Sequence, residues 1–221
     1  MIRRFTYVLG AVLALTASMA IAADTISPKP QGAEVAFVGG ISKDLNARFP
    51  TPADAIKAGY FRYTNEDNTG AISYANLQWE SSDPQHPSQL WYTVKGKLIG
   101  ADFSVLKSTY PKQPSLWGID PKRWEDFGAH VHWVLVGADG TETYGATSVK
   151  KFTAAGGDIN NPTADTVVKL GKAKDVASVK KVFLFPSIWD LIVWVTPNPN
   201  GAFAEKNPLV IPSATAEKNS D

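Results

Sequence analysis

From residue 60 onward, apolar and polar positions alternate with a period of two, the spacing that sends successive side chains to opposite faces of a strand. Residues 60–64 alternate in this way, and after a polar turn cluster at 65–70, residues 71–79 read as the returning strand. Residues 90–94 and 98–105 flank Lys95-Gly96-Lys97, and a glycine in so short a connector predicts a hairpin. A second hairpin is predicted from 131–136 and 141–148, joined through Asp139-Gly140. Treated as a two-residue turn, that dipeptide sets Thr147 opposite His132 and Val149 opposite His130. Residues 182–185 and 191–195 are continuous apolar runs, the pattern of strands buried on both faces.

Helical signals are short. Thr51-Pro52-Ala53-Asp54 combines a cap, a proline at the first helical position and an acid near the N-terminal dipole, and Gly59 is placed to stop the helix. Pro121 opens a second candidate through residue 126, which would put Glu125 and Asp126 on a solvated helix face. A third runs from Asn161-Pro162-Thr163 to Gly171, although Thr166-Val167-Val168 suits a strand equally. Residues 173–180 fit neither pattern. Residues 23–50, with Pro28, Pro30, Gly39 and Gly40, read as an extended arm with at most an edge strand at 35–38. Residues 208–221 read as a polar, disordered tail.

About eight strands, mostly joined as hairpins, with two to four short helices, define a mainly β chain of the α+β kind. The expected architecture is an antiparallel β-sandwich or open barrel with a few short peripheral helices. No internal repeat or linker divides it, so residues 51–207 are expected to form a single β-rich domain. Cysteine is absent, so stability must come from burial rather than disulfides, and seven Trp, ten Phe and seven Tyr supply large apolar areas for it.

The N-terminus changes the picture of where the protein works. Arg3 and Arg4 precede an apolar stretch over 7–17 and then Ala20-Ile21-Ala22, the three-part pattern of a secretory signal over residues 1–22. The mature chain is therefore expected to be exported, periplasmic or secreted. No second apolar run reaches membrane length, so no membrane span is expected in the mature form. Lys and Arg number 22 against 21 Asp and Glu, with no basic stripe, which argues against nucleic acid as a partner.

Candidate chemistry is sparse. His130 and His132 flank Val131 on a predicted strand, so they point to one face with Cα atoms about 6.5–7 Å apart. The pair is a candidate for holding a divalent transition metal, with His86 from the Asp83–Pro87 loop, or Asp102, Glu125, Asp126 or Glu142, completing the ligand set. Residues 65–70 lack the Asp and Glu positions of a calcium loop and read as a turn. Trp117, Trp124 and Trp133 are the candidate ligand-binding aromatics, the first two because they fall in loop-rich sequence. No G-x-S-x-G elbow is present. Asp190 lies inside an apolar run and, if buried, needs a partner.

Two classes follow. One is an exported binding or envelope-accessory protein that presents an aromatic-lined groove to a small-molecule or protein ligand. The other is a metal-dependent enzyme or metal-binding protein built on His130 and His132. If the N-terminal reading holds, mass spectrometry of protein recovered from the exported fraction will give a mature chain beginning at Ala23, and recovery of the intact N-terminus there would refute it.

Overall fold

A computed structural model describes residues 27–217, so the expected signal segment at 1–22 and the last four residues lie outside the described part. Two antiparallel sheets dominate it. The larger has six strands in the order β1-β2-β3-β4-β9-β5, and the smaller has three in the order β7-β6-β8. In chain order these are β1 (Phe61–Arg62), β2 (Ile72–Ala75), β3 (Gln89–Tyr92), β4 (Leu98–Leu106), β5 (Glu125–Phe127), β6 (His130–Val136), β7 (Glu142–Ser148), β8 (Val179–Phe185) and β9 (Ile188–Trp194). Four helices, α1 (Ala33–Arg48), α2 (Pro52–Lys57), α3 (Val149–Ala154) and α4 (Ala164–Lys169), accompany them. The arrangement is sandwich-like, and no barrel closes among the described residues.

The period of two decides what each face of the large sheet does. On β4 and β9, Ala101, Phe103 and Val105 lie opposite Val193, Leu191 and Trp189. This face joins the main apolar core with Ile41 and Leu45 of α1, Phe49 just after it, and Ala55 of α2. The intervening residues, Asp102, Ser104, Asp190 and Ile192, lie on the other face, toward the small sheet. There Tyr63, Ala75 and Ile188 meet Phe183 and Phe185 of β8 in a second cluster. Helices α3 and α4 contact the small sheet.

Several expectations are corrected. The 23–50 segment, expected to be extended, carries the 16-residue helix α1. Gly39 and Gly40 each weaken a helix by about 1 kcal/mol relative to Ala, which masked it in the sequence. What holds it is tertiary: Leu45 is fully buried, and Glu34 at its start pairs with Arg123. The expected helix over 121–126 is only one 3₁₀ turn, Pro121–Arg123, after which Glu125 and Asp126 continue as β5 against β9.

In the β6–β7 hairpin, His130 faces Ser148 and His132 faces Ala146, one residue from the expected register. The turn is closed by Gly137 N–H to the Thr141 carbonyl, with Gly140 at φ 80°, so three residues rather than two make the loop. Beyond Pro208 the described residues hydrogen-bond back to the turn at Glu66. The buried Glu66 carboxylate accepts hydrogen bonds from the Ser213 N–H and hydroxyl, and the Glu66 carbonyl accepts from Glu217 N–H.

Glu34 and Arg123 form the most buried ion pair described, at 3.0 Å with side chains 6% and 10% exposed. Burial alone would raise the Glu34 carboxyl, but the Arg123 guanidinium and the N–H groups of Asp120 and Gln31 outweigh it and hold Glu34 below its ordinary value. Arg123→Ala is expected to cost about 3–5 kcal/mol in urea denaturation by stranding Glu34. The Glu34→Ala/Arg123→Ala double variant should lose clearly less than the sum of the singles.

Candidate functional site

A cleft of about 320 Å³ opens between the two sheets, and its walls are the polar face of the large sheet and the inward face of the small one. Along and beneath it run hydrogen-bonded side chains of the large sheet. Ser104 sits directly opposite Asp190 and donates its hydroxyl to Asp190 Oδ1 at 2.6 Å. The Ser88 and Ser104 hydroxyls are 2.6 Å apart. Trp91 Nε1–H donates to Asp102 Oδ2 at 2.8 Å, and its ring lies over Gly100, where a Cβ would come within 2.6 Å of it. Tyr63 donates its hydroxyl to Gln89 Oε1.

Asp102 and Asp190 are 3% and 4% exposed. They lie on the same face of neighbouring strands, one diagonal step apart, because Asp102 pairs with Ile192 and Ser104 with Asp190. Burial raises both carboxyls. The Asp190 charge raises Asp102 further, so the pair as a whole keeps a proton to higher pH than isolated carboxyls would. Asp190 settles at about 6. Glu125, directly opposite Asp190 on β5, adds like charge. Asp102 Oδ1 meets no N–H or hydroxyl donor among the described residues. Close by, burial and the Asp190 charge push Glu80 up to about 7, and its Oε1 is likewise unpartnered.

The opposite wall carries the two histidines. Their ring centroids are 4.7 Å apart, and each stacks on its cross-strand neighbour: His130 on Phe185 at 5.3 Å and His132 on Phe183 at 5.4 Å. Tyr63 meets His132 edge-on at 4.8 Å and so bridges the two sheets. His130 Nδ1–H donates to the Gly128 carbonyl at 2.9 Å, leaving Nε2 as an acceptor. His132 is 7% exposed, and neither of its ring nitrogens has a hydrogen-bond partner. Burial lowers both histidines, His132 to about 3 with a further push from His130, so both are neutral at physiological pH.

The other candidate residues lie elsewhere. His86 stacks on Trp79 at 4.0 Å and bonds Asp83 at 2.8 Å. Among the described residues no group of three or more His, Asp or Glu comes together to hold a metal, so His130 and His132 stand as a pair without His86. Trp124 is 1% exposed in the main core. Trp117 packs against it and against Phe37 and Phe103, with ring centroids 5.4–5.8 Å apart. Those contacts hold Trp117 in a left-handed backbone conformation, φ 55°. Trp133 is buried on the face of β6 opposite the histidines, across Gly145.

Asp102 and Asp190 stand far apart in the sequence, and, taken singly, Trp91, Tyr63, Gln89 and Ser104 carry no local sign of a site there. The signal was the polar alternation Asp102, Ser104 within an otherwise apolar strand. A larger cleft, about 770 Å³, lies beside the start of α1, but its Glu34 and Arg123 already satisfy one another. No protein-family model, curated protein or solved structure matches this chain.

The raised carboxyls have a signed consequence. Asp102, Asp190 and Glu80 hold protons in the folded chain at pH values where the unfolded chain has released them, so their stabilising effect is present in acid. It is lost as pH rises through about 6 and about 7 for Asp190 and Glu80, and higher for Asp102. Asp102→Asn keeps a neutral donor there. Relative to wild type, its urea stability should rise progressively from about pH 4 to about pH 7. A constant difference across that range would show that Asp102 is ionised throughout.

Proposed function

We propose that this chain is an exported small-ligand-binding protein that takes its ligand into the cleft between the sheets. The observation that carries the reading is His132. A donor and an acceptor on one imidazole are buried without partners on the wall of an open cleft, and each orphaned group costs about 1–3 kcal/mol. Such a group is expected where a ligand, not the fold, supplies the hydrogen bonds. The surrounding rings of Tyr63, Phe185 and Trp91 and the acid pair opposite give the cleft the usual make-up of a ligand site, apolar walls with a few convergent polar groups. Export rests on the N-terminal pattern, in residues outside the described ones.

His132→Phe tests this directly. The replacement keeps the ring contacts with Tyr63, Phe183 and Phe185 and removes both orphaned atoms. The ligand-free variant should be more stable than wild type by about 1–3 kcal/mol at neutral pH. In a thermal-shift screen of small metabolites, compounds that stabilise the wild type should fail to stabilise the variant. Equal stability of the two proteins, with identical screening profiles, would sink the reading.

A further inference from the structure

We infer that the ligand is a compact organic cation, an amine in its ammonium form, seated on the Asp102–Asp190 carboxyls against the rings of Tyr63 and the two histidines. This rests on the cleft being a ligand site and names the chemistry it selects. Among its lining residues Asp67, Asp102, Asp190 and Glu205 carry carboxyls, and none is Lys or Arg. Asp67 Oδ1 is already engaged by the Thr69 N–H and hydroxyl and the Ala71 N–H. Asp102 and Asp190, more than nine-tenths buried, meet no cation among these residues. A buried carboxylate without a counter-charge either binds a proton or binds a cation. In the free protein the pair shares a proton; an entering ammonium takes its place.

The remaining groups fit that guest. Neutral His132, with no partner on either nitrogen, and the free Nε2 of His130 offer lone pairs to ammonium N–H groups. The ring faces add cation–π attraction, which strengthens when the cation is desolvated. An anion would meet four carboxyls, and among the described residues no third His, Asp or Glu gathers with the histidines to hold a divalent metal. A volume of about 320 Å³ limits the guest to a compact molecule. The groups facing the acid pair are Trp91 and Ser104 within the sheet, Glu125 on β5, Tyr63 beside β1, and His130 and His132 on β6, with Glu80 adding charge from nearby. No cationic group is among them. Cation affinity should therefore rise as pH rises from acid to neutral, with proton release on binding.

The test titrates the mature protein with tert-butylammonium and benzylammonium, against the neutral isosteres tert-butyl alcohol and benzyl alcohol and the anion benzoate. Calorimetry and Trp fluorescence report binding. The ammonium probes should bind at millimolar concentration or better, at least about tenfold tighter than their neutral counterparts. Buffers of different ionisation enthalpy should reveal proton release. Asp102→Asn and Asp190→Asn should each remain folded by near-UV circular dichroism and lose the preference for charge. Neutral or anionic probes binding as well as benzylammonium would overturn the cation while leaving a ligand cleft. Silence from every probe overturns the cation as well, and if His132→Phe then matches wild type in stability, the ligand reading falls with it.

Discussion

The pairing of β4 with β9 is the constraint on which the rest of this structure depends. Seven consecutive residues of each strand are in register, Gly100 with Trp194 through Leu106 with Ile188. That register gives the sheet two unlike faces. Phe103, Leu191 and Val193 bury against α1 and α2, and the intervening positions gather Asp102, Ser104 and Asp190. A slip by one residue would send the acids into the apolar core and the large apolar side chains toward the cleft. The core therefore specifies the cleft: the same alternation that buries the helices aligns the carboxyls.

Those carboxyls occupy positions where a fold selected for stability alone would place Val or Ile. Two like-charged groups adjacent on a buried face, with a third directly opposite on β5, oppose folding, and sharing one proton only reduces the penalty. The small sheet mirrors the large one. Its inward positions alternate histidine with histidine against Phe183 and Phe185, and it leaves His132 without hydrogen bonds. The two walls are unfavourable in complementary senses, one short of positive charge and the other short of partners. They confront each other across a space that solvent or a guest can enter.

Much of the architecture was legible in the sequence because strands with one buried face announce themselves by alternation. The β3–β4 hairpin and both strands of β6–β7 fall within a residue or so of their expected places, and the Thr51 cap with Asp54 forms as its residue types suggest. Helix α1 was illegible because its stability is supplied from far along the chain, by Arg123 and the main core, while its own glycines argue against it. The site was legible only in fragments. His130 and His132 are neighbours on one strand, and period two suffices to pair them. Asp102 and Asp190 are separated by most of the domain, and nothing local says that β4 and β9 are partners. Trp117 and Trp124 fell in loop-rich sequence and are packed nonetheless, because loops in this chain cover the core instead of projecting from it. Tyr63 and Trp91 read as ordinary strand aromatics until the register shows which way each ring points.

The seating of the chain's end on Glu66 bears on the order in which the molecule can be assembled. The turn next to Glu66 supplies Asp67, Asn68 and Thr69 to the cleft rim, and Ser213 and Glu217 tie that turn down from the far end of the chain. Strand β9, which completes the acid pair, is the last strand among the described residues. During synthesis, then, β4 lacks its partner until β9 has been made. Such long-range closure makes for slow folding. The half-made sheet meanwhile exposes the apolar side of β4, and a chaperone that shields this strand would have the longest time to act.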